Sequence, residues 1–293
     1  MKRITDVLLL GSLVVGSFGM AAAQEQSMSP PKVLTVFREF VKPGKGGAPH
    51  EKTESAFVQA SVRAKWPTHY LAMNSVSGKP RALFFTAYDS FEAWEKDTKA
   101  TEKNAAFSAA LDRASVADGE LLDSVDAGVW AYREDYSLRP NSDIPHMRYF
   151  DIAVFHVKPG HHKDWDDALK MVLAGYQKSV PETHWACFEG VYGVPDGTYA
   201  FITPRKSADE IDRAFAQDKQ FEAAMGEDGM KKLEELSAAA IDSSESSLFM
   251  FNPKMSYVSD EWVKADPDFW KPKPAAAPAA APKKPAEKTG AGQ

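Results

Sequence analysis

The chain has a single cysteine, Cys187, in 293 residues. An internal disulfide is therefore excluded, and stability has to come from packing. Cys187 lies in an apolar run, where a small buried hydrophobe is expected. The sequence also lacks Gly-x-Ser-x-Gly, a phosphate-cradling glycine loop, a dinucleotide fingerprint, His-x-x-x-His and any Cys-His cluster. Esterase, nucleotide and zinc-protease chemistry lose their usual signatures with them. Positive charge is scarce too: 35 Lys and Arg stand against 41 Asp and Glu, for a net charge of −6. Both ends of the chain are basic, so the body between them is more acidic than the whole. A nucleic-acid partner needs a basic face to displace counterions, and none is offered.

Long apolar runs are missing except at the start. Lys2-Arg3, the run from Val7 to Met20 and Ala21-Ala22-Ala23 form the layout of an export signal cleaved before Gln24. The run is shorter than the roughly 20 residues a membrane span requires. No integral span is expected after cleavage, and no cysteine stands there to take a lipid. The expected location is the periplasm or the extracellular space. At the other end "KPKPAAAPAAAPKKPAEKTGAGQ" cannot bury a core and reads as an extended spacer.

The body is 44% apolar in the chain-wide count, ample for a sizeable core, and it repeats itself. "VLTVFREFV" from Val33 and "YFDIAVFHV" from Tyr149 both read as strands, and each closes on Val-Lys-Pro-Gly, at Val41–Gly44 and Val157–Gly160. A helix follows each turn. In the second copy Trp165, Ala168, Leu169, Val172, Leu173 and Tyr176 mark one buried face; in the first, Phe57, Val58, Ser61 and Val62 give a thinner stripe. Then "THYLAMNSV" and "THWACFEGV" open hairpins that return as "RALFFTAY" and "TYAFITP". Helices start near Asp89–Glu92 and Ser207–Glu210, and last strands near Gly128 and Ser247. The order strand, helix, strand, strand, helix, strand occurs twice, which is the ferredoxin-like unit.

One such unit covers only one face of its sheet, so the second copy is the natural cover for the other. The expected fold class is α+β: two tandem ferredoxin-like (βαββαβ) repeats with sheets packed face to face as an intramolecular pseudo-dimeric α+β barrel, and a monomer otherwise. The expected division is a signal at 1–23, a linker at 24–31, repeats at 32–140 and 141–262, and a disordered tail at 263–293. "FHVKPGHH" and "EFVKPGKG" resemble the strand-to-helix turn of the dimeric α+β-barrel superfamily, with its antibiotic-biosynthesis monooxygenase-like and NIPSNAP-like members. The resemblance spans about residues 32–257 and implies a small-molecule pocket in one or both halves. It marks a turn and names no catalytic residue.

Candidate chemistry rests on few residues. Glu39 and Asp151 are carboxylates in otherwise apolar strands and need a partner, water or a ligand. Arg38 faces the opposite side of its strand and suits a buried acid or an anionic ligand. His69 and His184 each follow Thr at the start of the hairpin and precede an aromatic, Tyr70 or Trp185. Either these histidines cap the strand end by side-chain hydrogen bonds, or they are general bases at two equivalent pockets. His161-His162 with Asp164, Asp166 and Asp167 has metal-ligand types, but neighbours on a helix do not point together. No dedicated metal site and no cofactor are expected. Three functions remain open: a binding protein for a small apolar or aromatic molecule, a cofactor-free monooxygenase-type enzyme, and an envelope interaction module. The Asn, Trp and His set of the haem-degrading branch of the superfamily finds no matching positions.

Overall fold

The structure is a computed structural model that describes residues 27–271. The expected export signal and the expected tail beyond residue 271 lie outside the described residues. Eight strands and seven helices follow in order: β1 (Val33–Val41), α1 (Ala48–Ala64), β2 (Tyr70–Ser75), β3 (Arg81–Tyr88), α2 (Phe91–Lys103), α3 (Ala105–Gly119) and β4 (Leu122–Leu138) in the first half, then β5 (Tyr149–Val157), α4 (His162–Ser179), β6 (Trp185–Tyr192), β7 (Thr198–Arg205), α5 (Asp209–Ala240) and β8 (Ile241–Phe251), with α6 (Asp260–Ala265) and α7 (Pro267–Trp270) at the end. All strand pairs are antiparallel, and the strands close in the order β1-β3-β2-β8-β5-β7-β6-β4. Each half contributes one four-stranded sheet. The halves do more than face each other: β2 pairs with β8 through Met73 and Phe251, and β4 pairs with β6 through Tyr132 and Phe188. Closure removes the sheet edges that would otherwise stay unpaired.

The repeated phrase is a turn with a backbone requirement. Lys45 N–H donates to Lys42 O at 3.0 Å, and His161 N–H donates to Lys158 O at 3.1 Å, each across Pro-Gly. Gly44 and Gly160 sit at φ 76° and 84°, where a side chain is disfavoured. Proline at the second and glycine at the third position is the type II pattern. The turn redirects the chain from the strand into the first helix of each half.

Alternate residues of every strand point into the barrel, where Leu34, Val36, Met73, Phe85, Trp130, Phe150, Phe188 and Phe249 form the central core. Opposite residues point outward under the helices. Three details differ from the sequence reading. The last strands begin earlier, at Leu122 and Ile241, because the polar runs "DSVDA" and "DSSES" extend the ladders beside β1 and β5. The cap of α2 is Ser90, whose hydroxyl accepts from Ala93 N–H at 3.1 Å. Residues 263–271, expected to begin the tail, instead complete α6 and continue into α7, and Trp270 is buried with its indole N–H donating to Pro145 O at 2.9 Å. Among the described residues no helix is long and apolar enough to cross a membrane.

Candidate functional site

Between the outer face of the first sheet and helices α1 and α3 lies a cavity of about 580 Å³, a size typical of small-molecule sites. Its walls are largely aromatic: Phe37, Phe57, Trp66, Tyr70, Phe84 and Phe107 line it, with Trp66 stacked on Phe107 at 4.5 Å. One end is held by Asp97 of α2. Its carboxylate accepts from Trp66 Nε1 at 3.0 Å, Thr68 Oγ1 at 2.6 Å and Tyr88 Oη at 2.9 Å, which fixes the entry to β2 against β3.

The other end holds four buried ionisable residues from three elements. Glu39 comes from β1, His50 and Glu54 from α1, and Asp118 from the last turn of α3. His50 Nε2 lies 2.9 Å from Glu39 Oε2 and 3.6 Å from Asp118 Oδ1. Thr53 Oγ1 donates to the same Asp118 oxygen at 2.5 Å. One ligand atom from each of the four falls within 4.8 Å of the others. His50 and Glu54 are one helical turn apart and so share a face of α1. That face continues through Phe57 and Ser61, a polar version of the stripe expected from Phe57, Val58, Ser61 and Val62. Val62 is in fact exposed.

Burial dominates the electrostatics. It raises the Glu39 carboxyl, which the His50 hydrogen bond opposes and the Asp118 charge reinforces. It pushes Glu54 up to about 10, and the neighbouring Glu39 and Asp118 carboxylates act in the same direction. The Tyr70 phenol is raised by the same cause. Glu54 is 2% exposed. Its Oε1 and the Tyr70 hydroxyl are buried without a hydrogen-bond partner, and both residues line this cavity.

The second half fills the same place with aromatic and aliphatic side chains, the buried Trp165 indole N–H being left without a partner. The buried positions His50, Glu54 and Ala60 of α1 match Trp165, Leu169 and Gly175 of α4, and Glu39 matches Phe155 of β5. Phe155 packs on Trp165 at 5.5 Å, and Trp165 stacks on Tyr199 at 5.3 Å, with Leu169 in the same cluster. Cys187 is buried in that cluster, and burial raises its thiol well above the ordinary range.

Of the residues singled out from the sequence, Glu39 and Tyr70 are brought together at this cavity. The others are elsewhere. Arg38 points to the opposite face and pairs with Asp126, its neighbour across the β1–β4 ladder. Asp151 accepts from Arg205 Nη2 at 2.8 Å. Trp185 is buried between Tyr176 and Phe201, its indole N–H donating to Tyr136 O at 2.8 Å. His69 stacks on Tyr257 at 4.7 Å, and burial lowers its pKa. It lines a second cavity of about 580 Å³ at the end of the barrel interior, between Leu34, Phe85, Phe150 and Trp262. His184 holds its two ring nitrogens against the carbonyl oxygens of Glu182 and Pro204, at 3.0 and 3.1 Å. His161 Nδ1 lies 2.9 Å from Asp164 at the start of α4. Metal-ligand spacing is legible among residues close in sequence, whereas this set is assembled from three distant segments. Its visible signal was His50-x-x-x-Glu54 following a strand that carries Glu39.

No protein-family model matches the sequence, and no curated protein does. Solved structures do. An anthrone oxidase-like protein matches with a TM-score of 0.51 at 17% identity, over 77% of this chain and 94% of that one. The fold is that of the dimeric α+β barrels. A candidate monooxygenase from Fusobacterium nucleatum matches at 0.48 and 13% identity, over 76% and 94% of the two chains. A candidate chlorite dismutase matches at 0.45 and 12% identity, over 78% and 97%.

Proposed function

We propose that the protein binds one small aromatic molecule bearing a hydroxyl or keto oxygen, and that it does so in the first half of the barrel alone. The observation that carries this is the contrast between the halves. The cavity under α1 and α3 stays open and keeps Glu54 Oε1 and Tyr70 Oη unpartnered, while the matching space in the second half is filled by Phe155, Trp165 and Leu169. Leaving buried polar atoms unpaired costs about 1–3 kcal/mol each, a cost that a ligand's polar oxygen would remove. Flat aromatic walls suit a flat ring. Export to the periplasm or beyond, and kinship with the antibiotic-biosynthesis monooxygenase-like or NIPSNAP-like proteins, belong to the same proposal.

A second reading is turnover. It is favoured by the 2.9 Å pair of His50 with Glu39, an imidazole beside a carboxylate, which is the arrangement of a general base. Of the pair only Glu39 lines the cavity, so its carboxylate, held by His50, would take a proton from the bound aromatic so that oxygen reacts with the resulting carbanion, without a cofactor. Two measurements separate the readings. Calorimetry with 1-naphthol in the presence of a chelator is expected to show one site per chain, weakened about tenfold by Tyr70→Phe, the loss of one hydrogen bond. No heat of binding would sink the proposal. An oxygen electrode with anthrone as probe then decides: uptake that disappears in His50→Ala favours turnover, and no uptake leaves binding.

A further inference from the structure

Three carboxylates and one imidazole share the inner end of the first-half cavity, and among the described residues no lysine or arginine pairs with any of them. Buried acids in that number are costly unless protons or a cation neutralise them. The arrangement of the ligand atoms suits a cation. His50 Nε2 lies 2.9 Å from Glu39 Oε2 and 3.6 Å from Asp118 Oδ1, so three possible ligand atoms are already close together. Glu54, almost completely buried, places a carboxylate oxygen within 4.8 Å of the other ligand atoms, and its Oε1 has no hydrogen-bond partner. Around a metal with bonds of about 2.1 Å, ligand atoms lie up to about 4.2 Å apart. The observed spread of 4.8 Å therefore closes with small side-chain shifts. Strand β1 and helices α1 and α3 hold the ligands, and Thr53 orients Asp118 from behind as an outer-shell donor.

We propose that Glu39, His50, Glu54 and Asp118 bind one divalent first-row cation, manganese(II) or iron(II), at the inner end of this cavity. One nitrogen and three carboxylate ligands suit these ions, whereas thiolate-rich sets suit copper(I) and zinc. The second half lacks all of it, with Phe155, Trp165 and Leu169 in three of the four places. Glu39, Glu54 and Asp118 also line the cavity. The ion is thus exposed to an oxygen of a bound aromatic molecule, a point that rests on the function proposed above; the metal site itself does not.

The test uses the full chain, stripped with a chelator and titrated with manganese(II), the free ion being read by its electron paramagnetic resonance signal, with no organic ligand present. One site per chain is expected. Glu54→Gln and Asp118→Asn are expected to weaken it by at least about tenfold, while Glu95→Gln, an exposed acid paired with Lys99 on α2, leaves it unchanged. No uptake by the wild-type chain, or unchanged affinity in a folded Glu54→Gln or Asp118→Asn chain, overturns the proposal. If one variant fails to fold, the wild-type stoichiometry and the other variant decide. Because naphthol binding is measured with chelator present, loss of either result identifies which proposal has failed.

Discussion

Asp97 shows how single residues hold the first-half cavity open. Its three donors are Trp66 and Thr68, from the segment between α1 and β2, and Tyr88, the last residue of β3. Removing the carboxylate leaves partly buried donors unpaired, so Asp97→Ala is expected to lower stability by about 3 kcal/mol, read as a lower urea midpoint at unchanged slope. A drop below about 0.5 kcal/mol, the range of ordinary surface substitutions, would show that the anchor is dispensable. Glu39 was legible in the sequence for a similar reason, since a carboxylate in an apolar strand must be answered by something. His50, Glu54 and Asp118 were not. A buried helical face is recognised by hydrophobic spacing, and here the buried face of α1 carries His50, Glu54 and Ser61.

At the scale of the element, the Val-Lys-Pro-Gly turn does the same work twice. Gly44 and Gly160 both have positive φ, and Gly44 has nothing within 4 Å of the place a Cβ would take. Gly44→Ala therefore meets only backbone strain, about 1 kcal/mol, and is expected to lower the melting temperature by a few degrees without altering ligand affinity. A neutral or stabilising result would contradict the turn assignment. The strands and helices of both repeats were readable because periodicity, turn chemistry and self-similarity agreed. The starts of β4 and β8 were not, since Ser and Asp carry no strand signal of their own and are drafted into the ladder by β1 and β5. Helices α6 and α7 were hidden by the proline- and lysine-rich sequence that follows. What orders them is the burial of Trp270 against Phe251, Trp262 and Phe269.

The whole molecule is a duplicated unit whose copies differ in what lies under their helices. The barrel needs both halves, because β2–β8 and β4–β6 pairing closes it and the shared interior draws on both sheets. The helical layer does not impose the same symmetry. Under α4 and α5 the space is core, and under α1 and α3 it is a cavity ending in four ionisable groups. On the function proposed above, one half supports and the other carries the site. The most direct measurement is calorimetry with 1-naphthol on two filled variants of the full chain. Glu54→Leu gives the first half the second half's own residue at the cavity end; Ala186→Phe fills the barrel-interior cavity beside His69. Glu54→Leu is expected to abolish binding and Ala186→Phe to leave one site per chain. Two sites in the wild-type chain, or binding lost only in Ala186→Phe, would contradict it.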